Sequence, residues 1–157
     1  MATFGKDFTD IKGGQKYEAV LKEIAAKLGT GAVVQVGFFE GATNSETGAS
    51  IPLYASIQNY GAPSRGIPPR PFMSNMIADK SPGWPRLVEA SLKLANYNSE
   101  QALDTVGETI AGELRDSITN GGWAPNAPST LARKKGTQPL IDTGDMLAAV
   151  RHVVKST

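Results

Sequence analysis

Few residues in this chain could do acid–base or nucleophilic chemistry, and the first to weigh is the only histidine, His152, in "RHVVKS" (151–156). A serine or threonine nucleophile would have to use it as base, or else use a buried lysine. Its neighbours Arg151 and Val153 alternate with it as in a strand, and there a histidine is most simply a packed or surface residue. "DTGD" (142–145) offers two carboxylates, and a helix cap followed by a first-turn acid accounts for both without a metal. "GATNSETG" (41–48) lacks the lysine and the spacing that cradle a phosphate. Among fifteen acidic residues nothing singles out a glycosidase pair. With no cysteine, thiolate chemistry and cysteine zinc sites are excluded. The two tryptophans and four tyrosines are not interleaved with basic residues in the way that stacks nucleobases. The expectation is a protein without catalytic, cofactor-binding or metal-binding residues, and not an enzyme.

Charge points toward contact surfaces instead. Sixteen basic against fifteen acidic residues leave a net charge of +1, too small for a general pull on nucleic acid or membrane. Its distribution along the chain is uneven. Glu100, Asp104 and Glu108 stand four apart, Glu113 and Asp116 follow, and Arg115 alone opposes them, whereas Arg133, Lys134, Lys135, Arg151 and Lys155 crowd the C-terminal part. The acidic run reads as a solvated helix face or as a docking surface for a basic neighbour. "ARKK" (132–135) reads as a dipole partner at a helix end or as a phosphate contact.

"RGIPPRPFM" (65–73) is the most unusual stretch, with three prolines and two arginines ahead of Phe72. Each proline removes a backbone donor and fixes φ near −65°, and the residue before it is pushed extended. Such a segment can hold Arg65, Pro68, Pro69, Arg70 and Phe72 at a surface with little entropy left to lose on association. Arginine and aromatic residues are also the types enriched at interface hot spots. The alternative is a plain crossover that tucks Ile67 and Phe72 into the core.

The elements that must position these residues follow from periodicity. At 157 residues, 40% apolar and 20% charged, the chain is long enough for one ordinary hydrophobic core. Tyr17, Val20, Leu21, Ile24 and Leu28 predict a helix over 15–28, stopped by Gly29. "AVVQVGFFE" (32–40) predicts a strand with Val34, Val36 and Phe38 on one face. A polar loop over 41–50, expected to be mobile, precedes a helix capped by Ser50, with Leu53, Ile57 and Tyr60 on one face and Gly61 at its end. Ser81 and Pro82 open another helix, carrying Trp84, Leu87, Val88, Ser91 and Leu92 on one side. Asn98 or Ser99 caps the longest helix, 99–119, with Leu103, Val106, Ile110, Leu114 and Ile118 in one stripe. Ser129 caps a short helix, "QPLI" is extended, Asp142 or Thr143 caps a last helix, and "RHVVKS" closes as a strand. The expected fold is α+β in a single domain, a small antiparallel or mixed sheet packed with four to six helices. No apolar run reaches membrane-spanning length, and "MATFGKDFTD" lacks a signal core, so residence in a reducing cytoplasm is expected.

"VGFFEGA" (36–42), "YASIQNYGAP" (54–63), "RGIPPRPFM" (65–73) and "GGWAPNAPSTLARKKGTQPLIDTGDMLAAV" (121–150), in this order, resemble the tail-completion or head–tail joining proteins of tailed bacteriophages, also called phage virion morphogenesis proteins. The resemblance covers residues 33 to about 154. Asn59 and Tyr60 stand where that family often has an acidic residue and Phe, and the 41–50 loop replaces a commoner Asp-Gly turn. The resemblance implies a structural protein of the virion neck or tail, assembled in the host cytoplasm. It would act as a homo-oligomeric ring, six-fold by analogy, against the connector or adaptor and the tail tube or tail terminator. It would touch packaged DNA only incidentally, and no membrane. On this reading 1–157 is one domain with an N-terminal arm (1–13), the mobile loop (41–50) and a Pro/Arg loop (62–73). The interface residues would be Arg65, Pro68, Pro69, Arg70, Phe72, Glu100, Asp104, Glu108, Arg133, Lys134 and Lys135. Two other readings stay open: a DNA-contacting accessory protein of the head–tail interface, and a small hydrolase.

Overall fold

The computed structural model describes residues 14–29, 31–134 and 136–156. The expected arm, 1–13, and the candidate interface residue Lys135 lie outside them. In chain order the elements are α1 (Gly14–Leu28), β1 (Ala32–Phe38), α2 (Ile51–Tyr60), α3 (Phe72–Lys80), α4 (Trp84–Leu94), α5 (Ser99–Asn120), the single turns α6 (Pro128–Leu131) and α7 (Asp145–Ala148), and β2 (Val150–Ser156).

Helix α5 is the spine because its sequence supplies an unbroken apolar stripe. Val106, Ile110, Leu114 and Ile118 are buried along it, with the small residues Ala102, Gly107 and Ala111 letting neighbours approach. Asn98 starts the helix by accepting the Gln101 N–H at 2.9 Å. Across this stripe lie α3, α4 and both strands. The strands pair antiparallel in register from Ala32 opposite Ser156 to Phe38 opposite Val150. Their alternation places Val34, Val36, Phe38, Val150, His152 and Val154 on the helix side and Val33, Gln35, Arg151, Val153 and Lys155 outside. A two-stranded antiparallel sheet on helices around one core is a small α+β fold, as expected.

Several local expectations are corrected. Residues 72–80 form a helix that the sequence did not announce, because Pro71 at its N-cap offers no side-chain acceptor. The cap comes from α2 instead: Asn59 Oδ1 accepts the N–H groups of Met73 (3.0 Å) and Ser74 (3.2 Å). Helix α2 forms as expected, with Ser50 capping the Leu53 N–H and Gly61 at its end, but it is rotated. Ile51, Ala55, Gln58 and Asn59 are buried, whereas Leu53 is 62% and Tyr60 73% exposed. Residues 138–140 turn rather than extend, with Leu140 buried at φ 65, a left-handed conformation that costs a non-glycine residue on the order of 1–3 kcal/mol. Helix α6 starts at Pro128 without a side-chain cap, and α7 starts after Gly144, not at Asp142 or Thr143.

The 41–50 segment, expected to be a mobile loop, is closed on itself and hydrogen-bonded to the turn before β2. Thr43 pairs with Ser50, and Asn44 Oδ1 accepts the N–H groups of Glu46 (3.1 Å) and Thr47 (2.9 Å), an Asx-type turn. Asp145 Oδ2 then accepts from Asn44 Nδ2 (3.1 Å), Ser45 N (2.8 Å) and Ser45 Oγ (2.7 Å).

Candidate functional site

The Pro/Arg segment is built inward from α2. Gln58, near the end of that helix, receives Arg70 twice: its carbonyl accepts the Arg70 N–H at 2.7 Å and its Oε1 accepts Nη1 at 2.6 Å. Arg70 Nε donates to Ala124 O at 2.8 Å, and Nη2 donates to Pro125 O at 3.0 Å and Asn126 Oδ1 at 3.4 Å. The guanidinium is thus clasped by neutral oxygens from two distant segments, and Arg70 is only 5% exposed. Gly61 makes the hairpin possible: its φ is +78, and a Cβ there would stand 2.8 Å from Pro69 N. Phe72 is 1% exposed, its ring edge-on to Phe38 with centroids 6.1 Å apart.

Two of the residues expected at an interface are therefore internal. Arg70 and Phe72 present no surface to a neighbour, because one fills its donors within the chain and the other fills the core. Phe72 follows the crossover reading. Arg65, Pro68 and Pro69 are exposed at the tip of the same segment.

Glu100, Asp104 and Glu108 of α5 point outward but have partners in the same chain. Asp104 Oδ1 lies 2.8 Å from His152 Nε2, and Glu108 Oε2 lies 3.4 Å from His152 Nδ1. Glu108 Oε1 also meets Arg115 Nη1 at 3.0 Å, and Glu100 accepts from Ser156 Oγ. This row clasps the edge of β2 to α5, with His152 seated over Gly107. Among the basic residues, Arg133 Nε donates to Ser129 O (3.3 Å) and Lys134 Nζ to Gln138 O (3.0 Å). Burial lowers the Lys134 pKa, with Arg70 nearby acting in the same direction against Asp142. Partial burial likewise raises the Tyr54 pKa, although the residue is 43% exposed.

A cavity of about 200 Å³ lies where the tied-down 41–50 segment meets the turn before β2, bounded by Ile51, Tyr54, Leu140, Asp142, Asp145 and Met146. The Asp145 carboxylate on its rim has its pKa lowered by the hydrogen bonds from Thr143 Oγ1 and from Ser45. Among the described residues no group of three or more His, Cys, Asp or Glu side chains is arranged to hold a metal ion. No helix among them is long and apolar enough to cross a membrane.

No family model, curated protein or solved structure matches the chain. Among the described residues two apolar helix faces are left uncovered. On α1, Tyr17 is 58% exposed beside exposed Val20 and Leu21, although Leu28 O and Lys27 are tied to Ser99 Oγ (3.0 Å) and Asn96 Oδ1 (3.1 Å). On α2 the uncovered residues are Leu53, Tyr54 and Tyr60. Neither face follows from periodicity alone, because an amphipathic stripe looks the same whether its own domain or another chain covers it.

Proposed function

We propose that the protein works by adhesion, as a structural subunit of the head–tail junction of a tailed bacteriophage, in a ring whose copies meet through two different patches. The observation that carries this reading is the pair of exposed apolar faces on α1 and α2. A contact repeated by rotation needs two complementary but dissimilar surfaces per subunit, and it closes when the rotation divides the circle. Tyrosine-rich, charge-poor surface is the composition of interface cores, and α2 carries no charged residue over its ten positions. Exposed apolar area of this kind on a monomer marks a contact site. The resemblance of the sequence motifs to phage tail-completion proteins supports reading that contact as one in a phage neck, against the connector on one side and the tail on the other.

Phage carrying Tyr17→Glu with Leu21→Glu test the reading, since both side chains are exposed. Filled heads and finished tails should accumulate unjoined in electron micrographs, while the purified variant keeps the wild-type melting temperature. Normal infectious particles from that variant, or absence of the protein from mature virions, would overturn the proposal. Arg70→Ala is not a substitute, because its effect would pass through folding.

A further inference from the structure

Strand β1 has one strand neighbour. Among the described residues the main chain of Ala32–Phe38 bonds only to β2, so its second edge carries N–H and C=O groups without a protein partner. Unpaired edges are templates for strand addition, and proteins guard those they do not use with charge. The β2 edge is guarded. Glu100, Asp104 and Glu108 line it from α5 through Ser156 and His152, and Arg151 and Lys155 stand on its outer face.

The β1 edge has no such guard. A groove of about 350 Å³ lies between the end of the strand, Val36–Phe38, and α2, where Ala55, Ser56, Asn59 and Tyr60 line it, with Met73 of α3 beside them. Neither β1 nor α2 contains a single charged residue. A volume of this size falls within the range of pockets that take ligands. An open backbone edge beside a neutral, largely apolar trough fits an occupant that is extended, so that it can bond the edge, and uncharged, so that no ion is stranded without a partner.

We propose that this groove takes an extended, uncharged segment of another polypeptide as a third strand beside β1, its backbone on the open edge and alternate apolar side chains against α2. The recognition rests on the β1 edge and the α2 wall, whatever particle the subunit belongs to. The probe is a capped hexapeptide alternating valine and threonine, added to the isotope-labelled full chain and followed by amide chemical shifts. Saturable shifts are expected at the amides of Val36–Phe38 and Ser56–Tyr60. The same peptide N-methylated at alternate residues, unable to donate to the edge, should bind about tenfold more weakly or less, a difference of about 1.4 kcal/mol. Ser56→Trp, which fills the groove from its exposed wall, should cause a similar loss without lowering the melting temperature. Shifts confined to β2, no shifts at millimolar peptide, or equal binding of the N-methylated peptide would each overturn the proposal.

Discussion

Gln58 and Arg70, twelve positions apart, are joined both by main chain, with Arg70 N–H to Gln58 O at 2.7 Å, and by side chain, with Nη1 to Oε1 at 2.6 Å. The double link makes the proline segment a staple between α2 and residues 124–126. A buried cation held by neutral acceptors is costly to disturb, because its removal strands several carbonyls at about 1–3 kcal/mol each. Arg70→Ala should therefore destabilise the chain by roughly 3 kcal/mol or more, a fall of on the order of 6–12 °C in melting temperature. Arg70→Lys should recover only part of this, since one ammonium cannot reach acceptors spread around a planar fork. Thermal denaturation of both variants checks the order. A wild-type melting temperature for Arg70→Ala would show that the clasp does not hold the fold.

Asn59 caps a helix other than its own, through Met73 N–H and Ser74 N–H, while its Nδ2 donates to Ser74 Oγ at 2.8 Å. Asn59→Ala should cost about 1–2 kcal/mol, the usual cost of a lost cap. Asn59→Asp should stay within about 1 kcal/mol of wild type, because a carboxylate also accepts both N–H groups and is favoured at the positive end of the α3 dipole. Chemical denaturation of the pair decides it: equal losses in both variants would refute the capping role.

Gly107 lies under the imidazole of His152. A Cβ there would come within 2.5 Å of His152 Cδ2 and 2.8 Å of Val34 Cγ2. Gly107→Ala gains helix propensity of about 1 kcal/mol but must push β2 off α5 and disturb the Asp104 and Glu108 contacts. The overpacking term, about 1–3 kcal/mol, should win. A lowered melting temperature, with amide shifts spreading along both strands, is the expected result, and a stabilised variant would contradict the packing described.

Asp145 ties the 44–47 turn to the segment before β2, and the hydrogen bonds that do so depress its pKa. A carboxyl with a lower pKa folded than unfolded contributes stability that is fully present above the ordinary aspartate value of about 3.9 and is lost as pH falls through the lower folded value. The amide shifts of Asn44 and Ser45 should hold their neutral-pH positions below that ordinary value before moving. In Asp145→Ala they should stand displaced at every pH. A midpoint at or above the ordinary value would mean that the turn does not depend on this carboxylate.

The elements legible in the sequence were those whose signal is local. The α5 stripe and its Asn98 cap, the alternation of Val34, Val36 and Phe38, and the Ser50 cap of α2 each lie within a few residues of what they determine. Helix α3 was hidden because its cap sits thirteen positions upstream of its first residue, and Asp145 is about a hundred positions from the turn it anchors. The face of α2 was misjudged for a related reason. Gln58 and Asn59 are buried because Arg70 and the start of α3 supply their hydrogen bonds, which turns Leu53 and Tyr60 outward.

Composition and periodicity alone determined that this is one α+β unit with an apolar long helix, two strands and a stiff proline-arginine segment, because those properties depend on residue type and near-neighbour spacing. Which way that segment's side chains point was decided only in three dimensions. Arg70 turns inward because neutral oxygens from α2 and from residues 124–126 converge on it, and a guanidinium buried among enough acceptors no longer needs water. The same folding leaves the α1 face, the α2 face and the β1 edge uncovered, since what remains exposed depends on which surfaces the rest of the chain has already used.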